Sequence, residues 1–242
     1  MIPLERKSKI LDLLKANKNM TVEQIASKIY VSQMTVRRDI KQLEAENLVK
    51  RIRGGVEIIE FTDRQNSYYS YAMRMNLQPD GKRQIAAEAA KRIEDGDTIY
   101  IDTSSTASYI ADYIDPKMNI TIITSSVNTA KKLAERNIPH TLVGGFYHEL
   151  EMSLLGNISE KCVENFYIDK MFFSSQGIVP GDYIYDSNEA ETKIRQIFLK
   201  KSKKKYFLCV KYKIGRKYMF RVCPADSDIE IISGFTEGGE SK

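Results

Sequence analysis

Residues 33–46 read as a helix with an apolar back and a cationic front, and that stretch constrains everything around it. Val36, Ile40 and Leu43 fall within a narrow arc at about 100° per residue, so they face a core. The opposite arc carries Met34, Arg38 and Lys41, flanked by Arg37, Thr35 and Gln42. Ser32 is a good N-cap, and Val31 and Val36 stand at the N′ and N4 positions of a hydrophobic staple. Upstream, Ile10, Leu13 and Leu14 recur at helical spacing after a charged start, which predicts a helix over residues 3–17. A short polar turn follows. Thr21 and Gln24 then form a capping box, and Val22, Ile25, Ala26 and Ile29 supply the stripe of a short second helix. Tyr30-Val31-Ser32 makes the turn into the third.

A cationic helix preceded by a short helix and a tight turn suits a DNA major groove, where Arg and Lys meet phosphates or guanine edges and Gln33 and Gln42 meet adenine. Taken alone, residues 33–46 fit a solvated amphipathic helix equally well. The next segment separates the two readings. Leu48 to Arg53 alternates like a strand, Gly54-Gly55 reads as a two-residue hairpin turn, and Val56 to Ile59 is the return. The result is a wing, with Lys50, Arg51 and Arg53 placed to touch backbone phosphates beside the groove.

Charge agrees with this placement. The chain has a net charge of +5, and its first 60 residues hold 12 Lys and Arg against 8 Asp and Glu. A second basic run, Lys200-Lys201-Ser202-Lys203-Lys204-Lys205, reads as a solvated helix end whose lysines complement the dipole. At 242 residues, 42% hydrophobic and 29% charged, the chain suits two globular domains. The expected division is a DNA-binding domain over 1–60, a Tyr-rich linker over 61–80 that is helical in part, an effector domain over 81–235 and a disordered tail over 236–242. Pro79-Asp80-Gly81 is a turn signal. No apolar run approaches the roughly 18 residues of a membrane span, and Met1 to Lys7 does not read as a signal peptide. Cys162, Cys209 and Cys223 are odd in number and far apart, which fits a reducing cytoplasm without disulfides or zinc. With His140 and His148 the only histidines, no metal site and no cofactor are expected.

From Lys82 onward strand and helix alternate. Ile85, Ala86, Ala89 and Ile93 form a helical stripe. Strands are expected at Thr98–Ile101, Ile120–Thr124, Thr141–Val143, Met171–Ser174 and Phe207–Val210, with helices to about Ile114 and Glu135 between them. Repeated strand–helix units predict an α/β domain with a mostly parallel sheet covered on both faces. Ligands in such sheets bind outside the carboxyl ends of the strands. Small hydroxylic residues gather there: Thr103-Ser104-Ser105-Thr106 after one strand and Thr124-Ser125-Ser126 after the next. Each hydroxylic segment alone is an ordinary N-cap. Together with Gly144-Gly145 and Lys193 they suggest a phosphate-bearing ligand.

Ser32-x-x-Thr35-Val36-Arg37-Arg38-Asp39-Ile40, then Leu43-Glu44 and Arg53-Gly54-Gly55, resembles the DeoR family of bacterial regulators. That family usually has His where Arg53 stands. The resemblance continues through Lys82-Arg83-x-Ile85-Ala86, Asp95-Gly96-Asp97-Thr98-Ile99-x-Ile101-Asp102, Ser105-Thr106, Thr124-x-Ser126-x-Asn128, Gly144-Gly145, Ser153-Leu154-x-Gly156, Asp169-Lys170, Gly177-Ile178, Glu189-Ala190-Glu191-x-Lys193 and Lys213-x-Gly215. It implies an N-terminal winged helix-turn-helix and an effector domain similar in fold to ribose-5-phosphate isomerase. It implies DNA binding through Ser32, Gln33, Met34, Thr35, Arg37, Arg38, Lys41, Lys50, Arg51 and Arg53. It also implies a phosphorylated sugar or polyol as effector, lined by Asp102, Ser104, Ser105, Thr106, Thr124, Ser125, Ser126, Gly144 and Lys193. Two positions of the larger domain also depart from the family. Ser104 stands where Gly is common, and Val210 stands where an Asp often precedes the Lys-x-Gly segment.

The function these residues favour is a cytoplasmic repressor of a sugar-catabolic operon, active as a homodimer or homotetramer on operator DNA. A second class is a sugar-phosphate isomerase with a DNA-binding head, using Asp102 or Glu191 as base and Lys193 as electrophile. A third is an interaction protein that never binds its own upstream DNA.

Overall fold

The computed structural model describes residues 3–45, 49–58, 71–226 and 228–234. The chain divides into two compact units, Met1–Asn66 and Ser67–Lys242. The expected tail over 236–242 and the first ten residues of the expected linker lie outside the described residues.

The first unit runs α1 (Pro3–Asn17), β1 (Asn19–Met20), α2 (Val22–Ile29), α3 (Gln33–Ala45), β2 (Val49–Ile52) and β3 (Gly55–Ile58). The Thr21 hydroxyl accepts from the Gln24 N–H at 3.1 Å while Gln24 Oε1 accepts from the Thr21 N–H at 2.9 Å, which completes the expected capping box. Ser32 caps α3 by accepting from the Thr35 N–H at 3.2 Å. Ile10, Leu14, Ile25, Ile29, Val36, Ile40 and Leu43 are buried together with Val49 and Val56 of the wing. The sequence missed a part-buried ion pair between two of these helices: Arg6 of α1 holds Asp39 of α3, with Nη2 to Oδ1 at 2.9 Å.

Two details of the wing differ from expectation. Ile52 pairs with Gly55, so the hairpin turn is Arg53-Gly54 and Gly55 belongs to β3. Gly54 takes the left-handed φ of 95° that the turn requires. Gly55 is needed for a different reason: a Cβ there would lie 2.7 Å from the Met20 carbonyl oxygen. Asn19 and Met20, expected as a turn, form a two-residue strand against β3.

The second unit contains α4 (Tyr71–Asn76), α5 (Pro79–Ala90), β4 (Thr98–Ile101), β5 (Thr121–Thr124), α6 (Val127–Glu135), β6 (Thr141–Leu142), β7 (Phe146–His148), β8 (Ser153–Leu155), α7 (Asn157–Val163), β9 (Ile168–Phe173), β10 (Gly177–Ile178), β11 (Tyr183–Asp186), α8 (Glu189–Lys201), β12 (Ser202–Cys209), β13 (Phe220–Pro224) and β14 (Glu230–Ser233). Six strands form one sheet in the order β14-β12-β9-β4-β5-β6, with every pair parallel. Alternate residues enter opposite faces. Ile99, Ile101, Phe172, Tyr206 and Leu208 pack against α5 on one side. Tyr100, Met171, Phe173, Phe207 and Cys209 pack against α8 on the other. A layered α/β domain with both faces covered is the expected architecture.

Three local expectations fail. Pro79-Asp80-Gly81 does not turn the chain but opens α5, with Pro in the first helical turn where its missing N–H costs nothing. The segment after Thr106 is a 3₁₀ turn, Ala107–Asp112, rather than an α-helix. It is short and buried from Ala107 through Ala111, and such pieces adopt the tighter form readily. The basic run is not all helix end: Lys200 and Lys201 close α8, whereas Lys203, Lys204 and Lys205 lie in β12.

Candidate functional site

In the first unit, Gln33, Met34, Arg37, Arg38 and Lys41 are exposed on one side of α3, and Val36, Ile40 and Leu43 are buried on the other. Helical phase alone produces this split. Among the described residues Arg37, Arg38, Lys41 and Arg53 have no ion pair, so their charge faces water uncompensated. Ser32 and Thr35 are less available, because their hydroxyls lie 2.9 Å apart and bond to each other. Lys50 pairs with Glu57 across the wing at 3.3 Å, and Arg51 pairs with Glu44 of α3 at 3.1 Å. Both pairs are exposed, and exposed pairs are weak enough for a polyanion to replace.

In the second unit, strand order reverses beside β4. The chain goes from β4 outward to β5 and β6, then returns to β4's other side as β9. Adjacent loops diverge at such a switch point and leave a crevice at the strands' carboxyl ends. Asp102, at the end of β4, and Ser174, at the end of β9, mark it. Asp102 Oδ1 accepts from the Ser104 N–H at 2.9 Å and Oδ2 from Arg195 Nε at 2.9 Å. Arg195 also reaches Asp186 at 2.8 Å and Glu191 at 3.0 Å, and the Glu191 carboxylate accepts from the Thr103 hydroxyl at 2.6 Å. All are buried. Burial pushes the Asp102 carboxyl above its usual range against the pull of Arg195. For Glu191 burial acts the same way, but Arg195 and Arg74 together hold it low.

Cations stand opposite these carboxylates. Lys213 donates from Nζ to the Ser174 hydroxyl at 2.8 Å. Lys82 donates to the Arg74 carbonyl. Neither lysine has an ion pair among the described residues, and both are buried. Burial, with repulsion from Lys213 and Arg74, holds Lys82 well below the usual lysine value. Burial lowers Lys213 to about 8. Among the described residues of the same unit, the buried hydroxyls of Thr106, Thr129 and Ser153 have no hydrogen-bond partner. A buried polar group left without a partner costs free energy that a polar ligand recovers.

The expected lining residues fare differently. Asp102, Ser104, Ser105, Thr106, Thr124, Ser125 and Ser126 are all buried at the ends of β4 and β5. Several serve local structure: Ser104 Oγ accepts from the Ala107 N–H at 3.0 Å, Thr124 Oγ1 from the Ser126 N–H at 3.1 Å, and Ser126 caps α6. The Ser125 hydroxyl lies 2.7 Å from the Tyr100 hydroxyl. Gly144 is exposed, and its carbonyl accepts from the Ser159 hydroxyl at 2.7 Å. Lys193 does not join the cluster. It is 54% exposed and paired with Glu189 at 3.0 Å one helical turn away.

Helical phase explains that correction. Glu191, Ile194, Arg195 and Phe198 form the buried stripe of α8, and position 193 falls off it. Lys82 was readable in the same way, because it lies three residues before Ile85 on the apolar stripe of α5. A charge on such a stripe is a site signal rather than a surface residue. Val210, where the family often has Asp, is buried in the apolar cluster with Ile85 and Leu208.

Residues 6–62 match the family described as "DeoR-like helix-turn-helix domain", and residues 77–234 match "DeoR C terminal sensor domain". The HTH-type transcriptional regulator GolR of Listeria innocua is 31% identical, over 89% of this chain and 84% of its own length. The lactose phosphotransferase system repressor of Streptococcus mutans is 27% identical, over 96% of this chain and 97% of its own. Ribose 5-phosphate isomerase A of Neisseria gonorrhoeae aligns with 57% of this chain and 54% of its own, at 15% identity and a TM-score of 0.43. Both curated relatives are named as regulators of transcription rather than as enzymes. Two domain matches in order, with a relative above 30% identity over most of both chains, place this chain in the DeoR family of DNA-binding transcription regulators.

Proposed function

We propose that this protein is a repressor of a sugar-catabolic operon, and that a phosphorylated sugar or polyol bound at the carboxyl ends of β4 and β9 controls its hold on operator DNA. The observation that carries this reading is the two buried lysines, Lys82 and Lys213, neither of them paired with a carboxylate among the described residues. A buried ammonium without a counter-ion is costly. A phosphate monoester supplies the missing charge, and its hydroxylated carbon chain supplies partners for Thr106 and Ser153. Lys213 and Lys82 therefore take the role first given to Lys193. Asp102, Ser104, Ser105, Thr106, Thr124, Ser125, Ser126 and Gly144 line or support the same crevice. Gln33, Met34, Arg37, Arg38, Lys41 and Arg53 of the first unit contact DNA directly, Lys50 and Arg51 exchange their carboxylates for phosphates, and Ser32 and Thr35 hold the start of α3.

An isomerase needs a carboxylate or similar base free to reach the substrate's carbon, and the carboxylates that could serve are Asp102 and Glu191. Asp102 and Glu191 are both held by Arg195, which leaves neither available. Reading two operator half-sites requires at least a dimer, and a homodimer or homotetramer satisfies that. The test is a thermal-shift screen of the full chain against sugar and polyol phosphates. A ligand that binds the folded state raises the midpoint. A panel in which no phosphorylated compound shifts it would remove the effector reading.

A further inference from the structure

The short helix α4 lies on the crevice and is fastened there by groups that belong to it. Tyr71 and Arg74 are buried. The Tyr71 hydroxyl accepts from Asn128 Nδ2 at 2.8 Å, and the same Asn128 nitrogen reaches the Ser108 hydroxyl at 3.2 Å. The Tyr71 N–H donates to the Leu150 carbonyl at 2.6 Å. The Arg74 guanidinium pairs with Glu151. At the C-terminal end of α4, the Arg74 carbonyl accepts from the buried Lys82 ammonium, and the Met75 carbonyl accepts from the Tyr109 hydroxyl at 3.4 Å.

Helix C-terminal carbonyls carry partial negative charge and attract cations. Here they neutralise, in part, an ammonium that has no carboxylate in contact among the described residues. Only two residues separate α4 from α5, while on its other side the chain leads toward the DNA-binding unit. The elements fastened to α4 are those that carry the hydroxylic loops: the 3₁₀ turn after Thr106, the start of α6 and the segment before β8.

We propose that α4 is a built-in competitor for the effector: its Arg74 carbonyl occupies Lys82 in the ligand-free protein, and an effector phosphate takes Lys82 over and loosens α4 from the crevice. This rests on the effector reading above and adds how the occupied site is reported to the rest of the chain. A carbonyl dipole carries a fraction of a charge and a phosphate monoester between one and two at neutral pH, so the exchange favours the ligand. Glu151 and Asn128 set how strongly the helix resists.

Two measurements test it on the full chain, with inorganic phosphate and a sugar-phosphate panel as probes. The first is hydrogen exchange of the unaltered protein. Competition predicts that a bound phosphate speeds exchange at the Tyr71 and Leu77 amides while slowing it around Ser104 to Thr106. Slower exchange at both places would mean that α4 is part of the bound site and would overturn the competition. The second is the Kd of Tyr71→Phe and Glu151→Gln, each of which removes one fastener. Each lost hydrogen bond or pair should tighten phosphate binding by roughly three- to tenfold. Unchanged or weaker binding, in variants with wild-type circular dichroism, sinks the competition and leaves the effector site standing. Absence of binding in the wild type and both variants sinks the effector site itself, and the competition with it.

Discussion

Arg195 Nε donates to Asp102 Oδ2 at 2.9 Å, joining the middle of α8 to the carboxyl end of β4. One guanidinium thereby gathers Asp102, Asp186 and Glu191 in a place closed to water. Such a cluster is balanced only while every member is present. Arg195→Ala leaves three carboxylates buried without their partner and should destabilise the second unit by about 3–5 kcal/mol. Lys193→Ala, on the exposed face of the same helix, should change stability by less than about 0.5 kcal/mol. Urea denaturation of both variants measures the contrast, and equal effects would contradict the buried placement of Arg195 against the exposed one of Lys193.

Lys213 titrates at about 8 in the folded chain, against 10.5 for an ordinary lysine. Its folded pKa is the lower, so between those values the unfolded chain binds more protons and the free energy of unfolding rises with pH. The contribution is complete above about 10.5 and lost as pH falls through about 8. Lys213→Met should abolish that part of the slope, which a comparison of urea curves from pH 7 to 10 would detect. Phosphate binding depends on the charged form, so its affinity should fall as pH passes 8 in the wild type and start lower in the variant.

Arg38 and the wing act on DNA in different ways. Arg38→Ala should cost about 1–3 kcal/mol on the operator and little on unrelated DNA, because it removes a groove contact. Arg51→Ala should weaken binding to all sequences and reduce the salt slope by about 1. Part of the Arg51 contact is offset by breaking its 3.1 Å pair with Glu44. Anisotropy titrations at several salt concentrations distinguish the two, and a sequence-independent loss for Arg38→Ala would contradict its placement.

Tyr30 closes α2 in the left-handed region, at φ 56° and ψ 48°, and the residue is 93% exposed. An exposed ring recovers little packing for that backbone strain. Tyr30→Gly should stabilise the first unit by on the order of 0.5–1 kcal/mol. Chemical denaturation would read this directly, and destabilisation would mean the ring does pack.

Local signals and long-range ones were unequally legible. The Thr21–Gln24 box, the Val36-Ile40-Leu43 stripe and the strand before Asp102 are set by residues within one or two helical turns or strand repeats, and each forms as its sequence indicates. Asn19-Met20 becomes a strand only because β3 passes beside it, and no two-residue segment can announce a partner more than thirty residues away. Helix α4 has no stripe of its own and is held by Asn128, Glu151 and Lys82, so its neighbours decide its fold. Lys193 carries charge within a motif but lies off the buried stripe of α8, which Ile194, Arg195 and Phe198 form. Lys82 is legible as a charge on the apolar stripe of α5, whereas Lys213 reaches the Ser174 hydroxyl only because β12 and β9 are neighbours in the folded sheet.

Under the proposed function, occupation of the Lys82–Lys213 crevice changes DNA affinity. The direct measurement is anisotropy of the full chain on the DNA upstream of its own operon, titrated in the presence of each member of a sugar-phosphate panel, for the wild type and Lys213→Ala. One phosphorylated compound should shift the wild-type Kd for DNA by roughly 5- to 150-fold. Lys213→Ala should bind the same DNA with wild-type affinity and show no shift. A wild type indifferent to every compound, or a Lys213→Ala protein that responds at wild-type concentrations, would contradict it.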